Sequence, residues 1–201
     1  MKELRKIFYP GKPYRITCGL VAKYVGKFCY VNCTKDDNLG NSIAVPMENV
    51  YGAENYIYIT IPSFQFPEGE RITTPGIRTF AGDDFIEPLK ITEELLLFQR
   101  INLKWAFWLE VNKIQLQEMA VRCLLNENDV YEMPQLEKEK IVITPPYEDV
   151  ALISFLQQEN LRYALKVGAS YRILEKMADD GVLNKDEVYN LYQSQERTIM
   201  N

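Results

Sequence analysis

Asp83, Asp84, Glu87 and Lys90 make a compact acidic group with a lysine beside it. Carboxylates and a lysine so clustered can bind a divalent ion for phosphodiester cleavage. The same residues suit an ordinary polar junction ahead of a helix, and we read them that way. Cys29 and Cys33 stand four apart on one expected strand and face the same side, with Cys18 on the neighbouring strand. That spacing separates two sulfurs by about 13 Å along a strand, and a structural zinc needs four ligands in tetrahedral reach. Buried thiols acting as small apolar groups are the expectation; a disulfide from Cys18 to Cys29 or Cys33 depends on register. Asp180-Gly181, Leu183 and Glu187 match the second half of a calcium-binding EF-hand loop. That loop would begin at Lys176 with Ala178 third, where calcium needs oxygen ligands. A capped helix hairpin accounts for the same residues.

Other chemistries are excluded by residue type. The 201 residues contain no histidine, which removes Ser-His and Cys-His nucleophiles, imidazole bases and His-ligated metals. No glycine-rich phosphate loop occurs, and neither G-x-S-x-G nor S-x-x-K is present. The chain is therefore expected to be no enzyme, with no catalytic residue, metal or cofactor.

What remains is binding. Lys12, Arg15, Lys23 and Lys27 are interleaved with Tyr14, Tyr24, Phe28 and Tyr30. A β surface that stacks bases uses this mixture, and Lys12, Arg15, Lys23, Tyr24, Lys27 and Tyr30 are the candidate nucleic-acid contacts. Gly26-Lys27-Phe28-Cys29-Tyr30-Val31 resembles the aromatic strand of RNA-recognition domains, with Lys and Gly inverted and the strand placed earlier in the chain. Residues 1–35 carry eight bases and one acid, a net +7, while residues 36–201 carry 15 bases and 27 acids, a net −12. Such asymmetry fits attraction within the chain, a basic patch for nucleic acid, or an acidic face for a basic partner.

The elements that position these residues change character near residue 90. Tyr14–Val21, Lys27–Thr34, Ser42–Val45 and Asn55–Ile61 are rich in β-branched and aromatic residues and read as strands. A Gly26-containing link suggests a hairpin between the first two. Arg71–Thr73, Ile77–Phe80 and Lys140–Thr144 are further short-strand candidates. The long hairpin followed by Ile43–Val50 is similar to SH3-type barrels over about 50 residues, which implies a small curled sheet. From Thr92, a helix cap followed by Glu93 and Glu94, the period becomes helical, with a break expected near Asn102 or Asn112. Asp149–Asp179 reads as helix with Gly168 as a bend or a close contact. Gly181 is a C′ glycine, and Asn184–Glu187 has capping-box spacing. No internal repeat is evident. The expected fold is α+β: a small antiparallel curled sheet or partly open barrel over 1–90, then a helical half over 91–201 ending in an αα-hairpin.

The apolar stretch Ile16–Ala22 is too short for an export signal and ends at Lys23. No stretch reaches 18 apolar residues, and four cysteines make no disulfide framework. A cytoplasmic protein away from membranes is expected. Its expected role is an adaptor or inhibitor whose acidic face docks on a larger partner that handles nucleic acid. Small acidic proteins of this kind are often encoded by phages or mobile elements against host defence. A nucleic-acid-binding accessory role for the basic hairpin, or a homo-oligomer through the C-terminal helices, are the alternatives.

Overall fold

Alternation builds the N-terminal sheet. In a strand, successive side chains face opposite sides, and Tyr14, Ile16, Cys29, Val31, Ile59 and Ile61 all fall on one of them. They form one buried cluster with Tyr24 and Ile86, against which Phe66 packs. The computed structural model describes residues 9, 11–17, 24–32, 42–46, 56–67, 86–130 and 142–199. The chain divides into two compact units, Met1–Lys90 and Ile91–Asn201.

In the first unit the described strands are β1 (Pro13–Ile16), β2 (Phe28–Asn32), β3 (Ser42–Pro46), β4 (Tyr56–Thr60) and β5 (Ile86–Pro88). They form an open sheet in the order β3-β4-β2-β1-β5, with every pairing antiparallel. The edge strands β3 and β5 each end in proline, which has no N–H to give a ladder. Gly26 stands at φ 83° beyond the β1–β2 ladder, and its N–H donates to the Ile16 carbonyl at 2.8 Å. The β2–β4 register pairs Tyr30 with Thr60, so the next pair along would place Phe28 opposite Pro62. Proline cannot donate there. The Gln65 side chain takes its place, accepting from Phe28 N–H at 2.8 Å and donating to the Phe28 carbonyl at 2.7 Å. Residues 71–73 and 77–80 lie outside the described residues.

The second unit has α1 (Glu93–Trp108), α2 (Lys113–Val121), α3 (Val150–Lys166), α4 (Tyr171–Asp179) and α5 (Lys185–Ile199). Thr92 caps α1 by accepting from Leu95 N–H at 3.1 Å. The break falls at Leu109–Asn112, where Asn112 and Gln115 form a reciprocal capping box. Gly168 ends a helix rather than bending one, since α3 and α4 are separate. The αα-hairpin is α4 with α5, and the Tyr171 and Tyr192 rings meet across it at a tilt, 4.5 Å apart. Asn184 accepts from the N–H groups of Asp186 and Glu187, while the Glu187 carboxylate takes the Gln158 amide of α3. The expected strand at 140–144 is not formed over its described part, residues 142–144. There Ile143 N–H donates instead to the Asp180 carbonyl at the end of α4, at 3.2 Å.

The expectation of no internal repeat is overturned by the hydrogen bonds. Gln99 Nε2 donates to the Cys123 carbonyl and Asn102 Nδ2 to the Leu124 carbonyl. Gln157 Nε2 donates to the Gly181 carbonyl and Asn160 Nδ2 to the Val182 carbonyl. Each atom of the second set stands 58 residues after its counterpart in the first. The capping bonds Asn128 N–H to Asn126 Oδ1 and Asp186 N–H to Asn184 Oδ1 keep the same offset. With that register, ten of the 32 residues in 99–130 are identical to those in 157–188. Helices α1–α2 and α3–α4 are thus two copies of one helix pair.

Each helix of the repeat ends alike. After α1, Glu110 N–H bonds the Phe107 carbonyl and Val111 N–H the Ala106 carbonyl; after α3, Gly168 and Ala169 bond Leu165 and Ala164 in the same way. After α2 and α4 the pairs are Cys123 to Ala120 with Leu124 to Met119, and Gly181 to Ala178 with Val182 to Met177. This is the Schellman arrangement, whose C′ residue takes a left-handed conformation. The second copy places Gly168 and Gly181 there, and the first copy places Glu110 at φ 54° and Cys123 at φ 59°.

Candidate functional site

The basic hairpin falls in the sheet unit. Tyr24 and Tyr30 are only 4% and 7% exposed, so neither offers the open ring face that a stacking base needs. Tyr14 and Phe28 are buried as well. The cations are already placed over rings: Lys12 Nζ 5.3 Å from the Tyr9 centroid, Arg15 Cζ 4.9 Å from Phe28, and Lys27 Nζ 5.2 Å from Phe66. Lys23 lies outside the described residues. Of the interleaved aromatics, Phe28 and Tyr30 lie two apart on β2, Tyr14 on β1 and Tyr24 in the turn between them.

Asp83 and Asp84 lie outside the described residues, Lys90 is exposed, and Glu87 sits in β5 directly across from Arg15. Cys29 stands opposite Tyr14, is buried and is free; desolvation raises its thiol pKa. Cys18 and Cys33 lie outside the described residues. Asp180 accepts from Trp105 Nε1 at 3.0 Å. With Glu187 bonded to Gln158, the two calcium-loop carboxylates hold helices together. Among the described residues no group of three or more His, Cys, Asp or Glu side chains can hold a metal ion. No described helix is long and apolar enough to cross a membrane.

The repeat exposes what sequence reading missed, which is how the two helix pairs meet. Trp105 and Lys104 of the first copy contact Asp180 of the second, the latter at 3.9 Å. Moving each partner by 58 residues gives Tyr163 and Arg162 against Arg122. That reciprocal corner carries two arginines, and Glu159 stands between them, 3.4 Å from Arg122 and 3.1 Å from Arg162. Glu159 is 2% exposed, and both arginines keep access to water, so the buried carboxylate is neutralised from the rim. The Tyr163 hydroxyl also donates to Glu118 at 3.4 Å. Its pKa is raised, first by desolvation, with Arg122 acting against the rise and Glu118 and Glu159 adding to it. Equivalent positions of the two copies thus come together at the two corners, through different bonds.

A small, partly open and almost wholly apolar space lies on this interface. Asn102, Ala106, Leu109 and Met119 of the first copy line it, together with their equivalents Asn160, Ala164, Val167 and Met177 of the second. Asn102 is 1% exposed and its Oδ1 meets no donor among the described residues.

Three exposed positions differ between the copies. Trp108 and Ile114 are 59% and 70% exposed, and Val121 is exposed as well. The second copy carries Lys166, Arg172 and Asp179 at those three positions, all exposed. Ile114 and Val121 are seven residues apart on α2 and share one face. Trp108 stands edge-on to Trp105, with ring centroids 5.7 Å apart. No protein-family model, no curated protein and no solved structure matches the chain.

Proposed function

We propose that this is a non-enzymatic binding protein, an adaptor or inhibitor, which docks on a larger partner with a basic surface through exposed apolar side chains of the first helix pair. One observation carries the reading. At equivalent positions of one repeated fold, the first copy exposes Trp108, Ile114 and Val121 where the second exposes Lys166, Arg172 and Asp179. The second copy demonstrates that the helix pair does not need apolar groups there in order to form. Exposed tryptophan and aliphatic side chains are what protein interfaces bury at their centres.

The charge supports the kind of partner. Residues 91–201 hold 18 acids and 12 bases, a net −6. A surface of that sign speeds encounter with a basic protein and disfavours acidic ones. A protein whose own surface takes nucleic acid has the complementary charge.

The test uses the molecule as its own control. The double variant Trp108→Lys, Ile114→Arg installs the residues that the second copy already uses. Native and variant chains immobilised side by side are exposed to a lysate, and retained proteins are read by mass spectrometry. The expected result is a basic protein held by the native chain, lost from the variant and released by salt. Equal retention by both chains, or no retention by either, overturns the reading.

A further inference from the structure

We infer that Asp180, at the end of α4 in the second helix pair, is a positioning residue for Trp108 of the first, and that it holds this exposed ring in place through Trp105. The use of that ring for docking rests on the function proposed above, and its positioning on bonds within the chain.

Helix geometry sets the contact. Trp108 is the last residue of α1, and a helical side chain leans back over the turn that precedes it. Its surface neighbours there are the residues three and four positions earlier, Trp105 and Lys104. Both reach one carboxylate of the other copy: Trp105 Nε1 donates to Asp180 Oδ2 at 3.0 Å, and Lys104 Nζ lies 3.9 Å from the same oxygen. The Trp105 ring is 7% exposed and bonded at its one polar atom. Trp108, 59% exposed, meets it edge-on, with centroids 5.7 Å apart and 72° between the planes. A ring fixed in this way gives the outer indole a contact of defined direction.

The equivalent corner is built to the same end. Lys166, the last residue of α3, takes the place of Trp108. Its Nζ lies 5.5 Å from the Tyr163 ring centroid and 3.2 Å from Glu118 of the first copy. In both corners the residue that closes the long helix is tied to a carboxylate of the opposite copy, directly for the lysine and through its neighbour for the tryptophan. A side chain held in advance loses less entropy on docking, and tryptophan is a side chain in which interfaces concentrate their binding energy.

Nitrogen relaxation of the indole N–H groups in the full chain tests this without a partner. The chain has two tryptophans, and Trp105→Phe assigns their signals. The Trp108 indole is expected to show an order parameter near the rigid value of about 0.85 in the native chain and in Asp180→Asn, which keeps an acceptor oxygen, and one below about 0.6 in Asp180→Ala. Far-ultraviolet circular dichroism checks that each variant keeps its helices. Should Asp180→Ala not fold, Trp105→Phe, which removes the donor and keeps a ring, is expected to loosen Trp108 in the same way. A ring already loose in the native chain, one equally rigid in the folded variant, or equal loosening by Asp180→Asn and Asp180→Ala overturns the inference. Where the native chain retains a protein from lysate, Asp180→Ala is expected to hold it about two- to tenfold less tightly, and undiminished affinity overturns the use of the positioning in docking. Retention of nothing by the native chain overturns the docking reading alone, and the relaxation result still decides the positioning.

Discussion

Two glycines in equivalent settings should respond differently to one added methyl group, and the structure says by how much. Gly168 and Gly181 both sit at the C′ position of a Schellman turn, at φ 78° and 84°. A non-glycine residue there costs about 1–2 kcal/mol, partly offset by about 0.4–1 kcal/mol because alanine restricts the unfolded chain. At Gly168 nothing lies within 4 Å of the added Cβ, so Gly168→Ala should cost about 1 kcal/mol. At Gly181 the Cβ would lie 2.0 Å from the Ile143 carbonyl oxygen and 2.5 Å from its Cγ2. Backbone must move, adding about 1–3 kcal/mol of overpacking, and the Ile143–Asp180 hydrogen bond, worth about 1 kcal/mol, is strained with it. Gly181→Ala should therefore cost about 3–5 kcal/mol. The first helix pair supplies the converse. Glu110→Gly and Cys123→Gly relieve left-handed strain and should stabilise by up to about 1 kcal/mol. Thermal and urea unfolding followed by far-ultraviolet circular dichroism would measure all four. At about 4 °C per kcal/mol for a unit of this size, Gly181→Ala should melt roughly 8 °C or more below Gly168→Ala. Equal losses for the two alanine variants would refute the assignment of Ile143 to that turn.

Trp108→Lys with Ile114→Arg should change stability by no more than about 1–1.5 kcal/mol, chiefly the lost edge contact with Trp105; a larger drop in unfolding free energy would mean these side chains belong to a core. Removing Arg122 and Arg162 together leaves Glu159 buried and unpaired, and should cost about 3–5 kcal/mol. Glu159→Gln leaves two arginines that reach water, and chemical denaturation should register the smaller loss; the reverse order would refute the corner described above. Asn160→Ala frees the buried Val182 carbonyl and should cost about 1–3 kcal/mol by the same measurement, against no change if that bond contributes nothing. For Cys29 the folded thiol pKa lies above the unfolded value of 9.0, so the unfolded chain releases its proton first. Stability of the sheet unit should then fall as pH rises through and above about 9, and a slope unaltered by Cys29→Ala would exclude this thiol as the cause.

Much of the local structure was legible because it depends on short-range chemistry. Thr92 caps a helix, Asn112 breaks the long one, Gly181 closes α4 and Asn184 opens α5, each through bonds to neighbours within a few residues. The α+β class was legible too, since the hydrophobic period changes once, near residue 90, from two to about 3.6. The site was less legible. Tyr24 and Tyr30 look the same in sequence whether a ring faces solvent or a core. The strand expected at 140–144 has β-branched residues but no described partner strand at 142–144; the backbone of Ile143 answers to the end of α4 instead.

The repeat was hidden for a related reason. Ten shared residues in 32 are mostly Leu, Ala and Met, which any amphipathic helix contains, while Gln99, Asn102, Gln157 and Asn160 read as ordinary polar residues. Only when each amide is seen on a helix-end carbonyl do the four become a pattern. The sequence alone determined where helices and strands begin and stop, because caps, turns and periodicity act within a few residues. The tertiary structure decided which buried groups meet, how the two helix pairs face one another and which apolar side chains are left outside, because those outcomes rest on contacts between residues tens of positions apart.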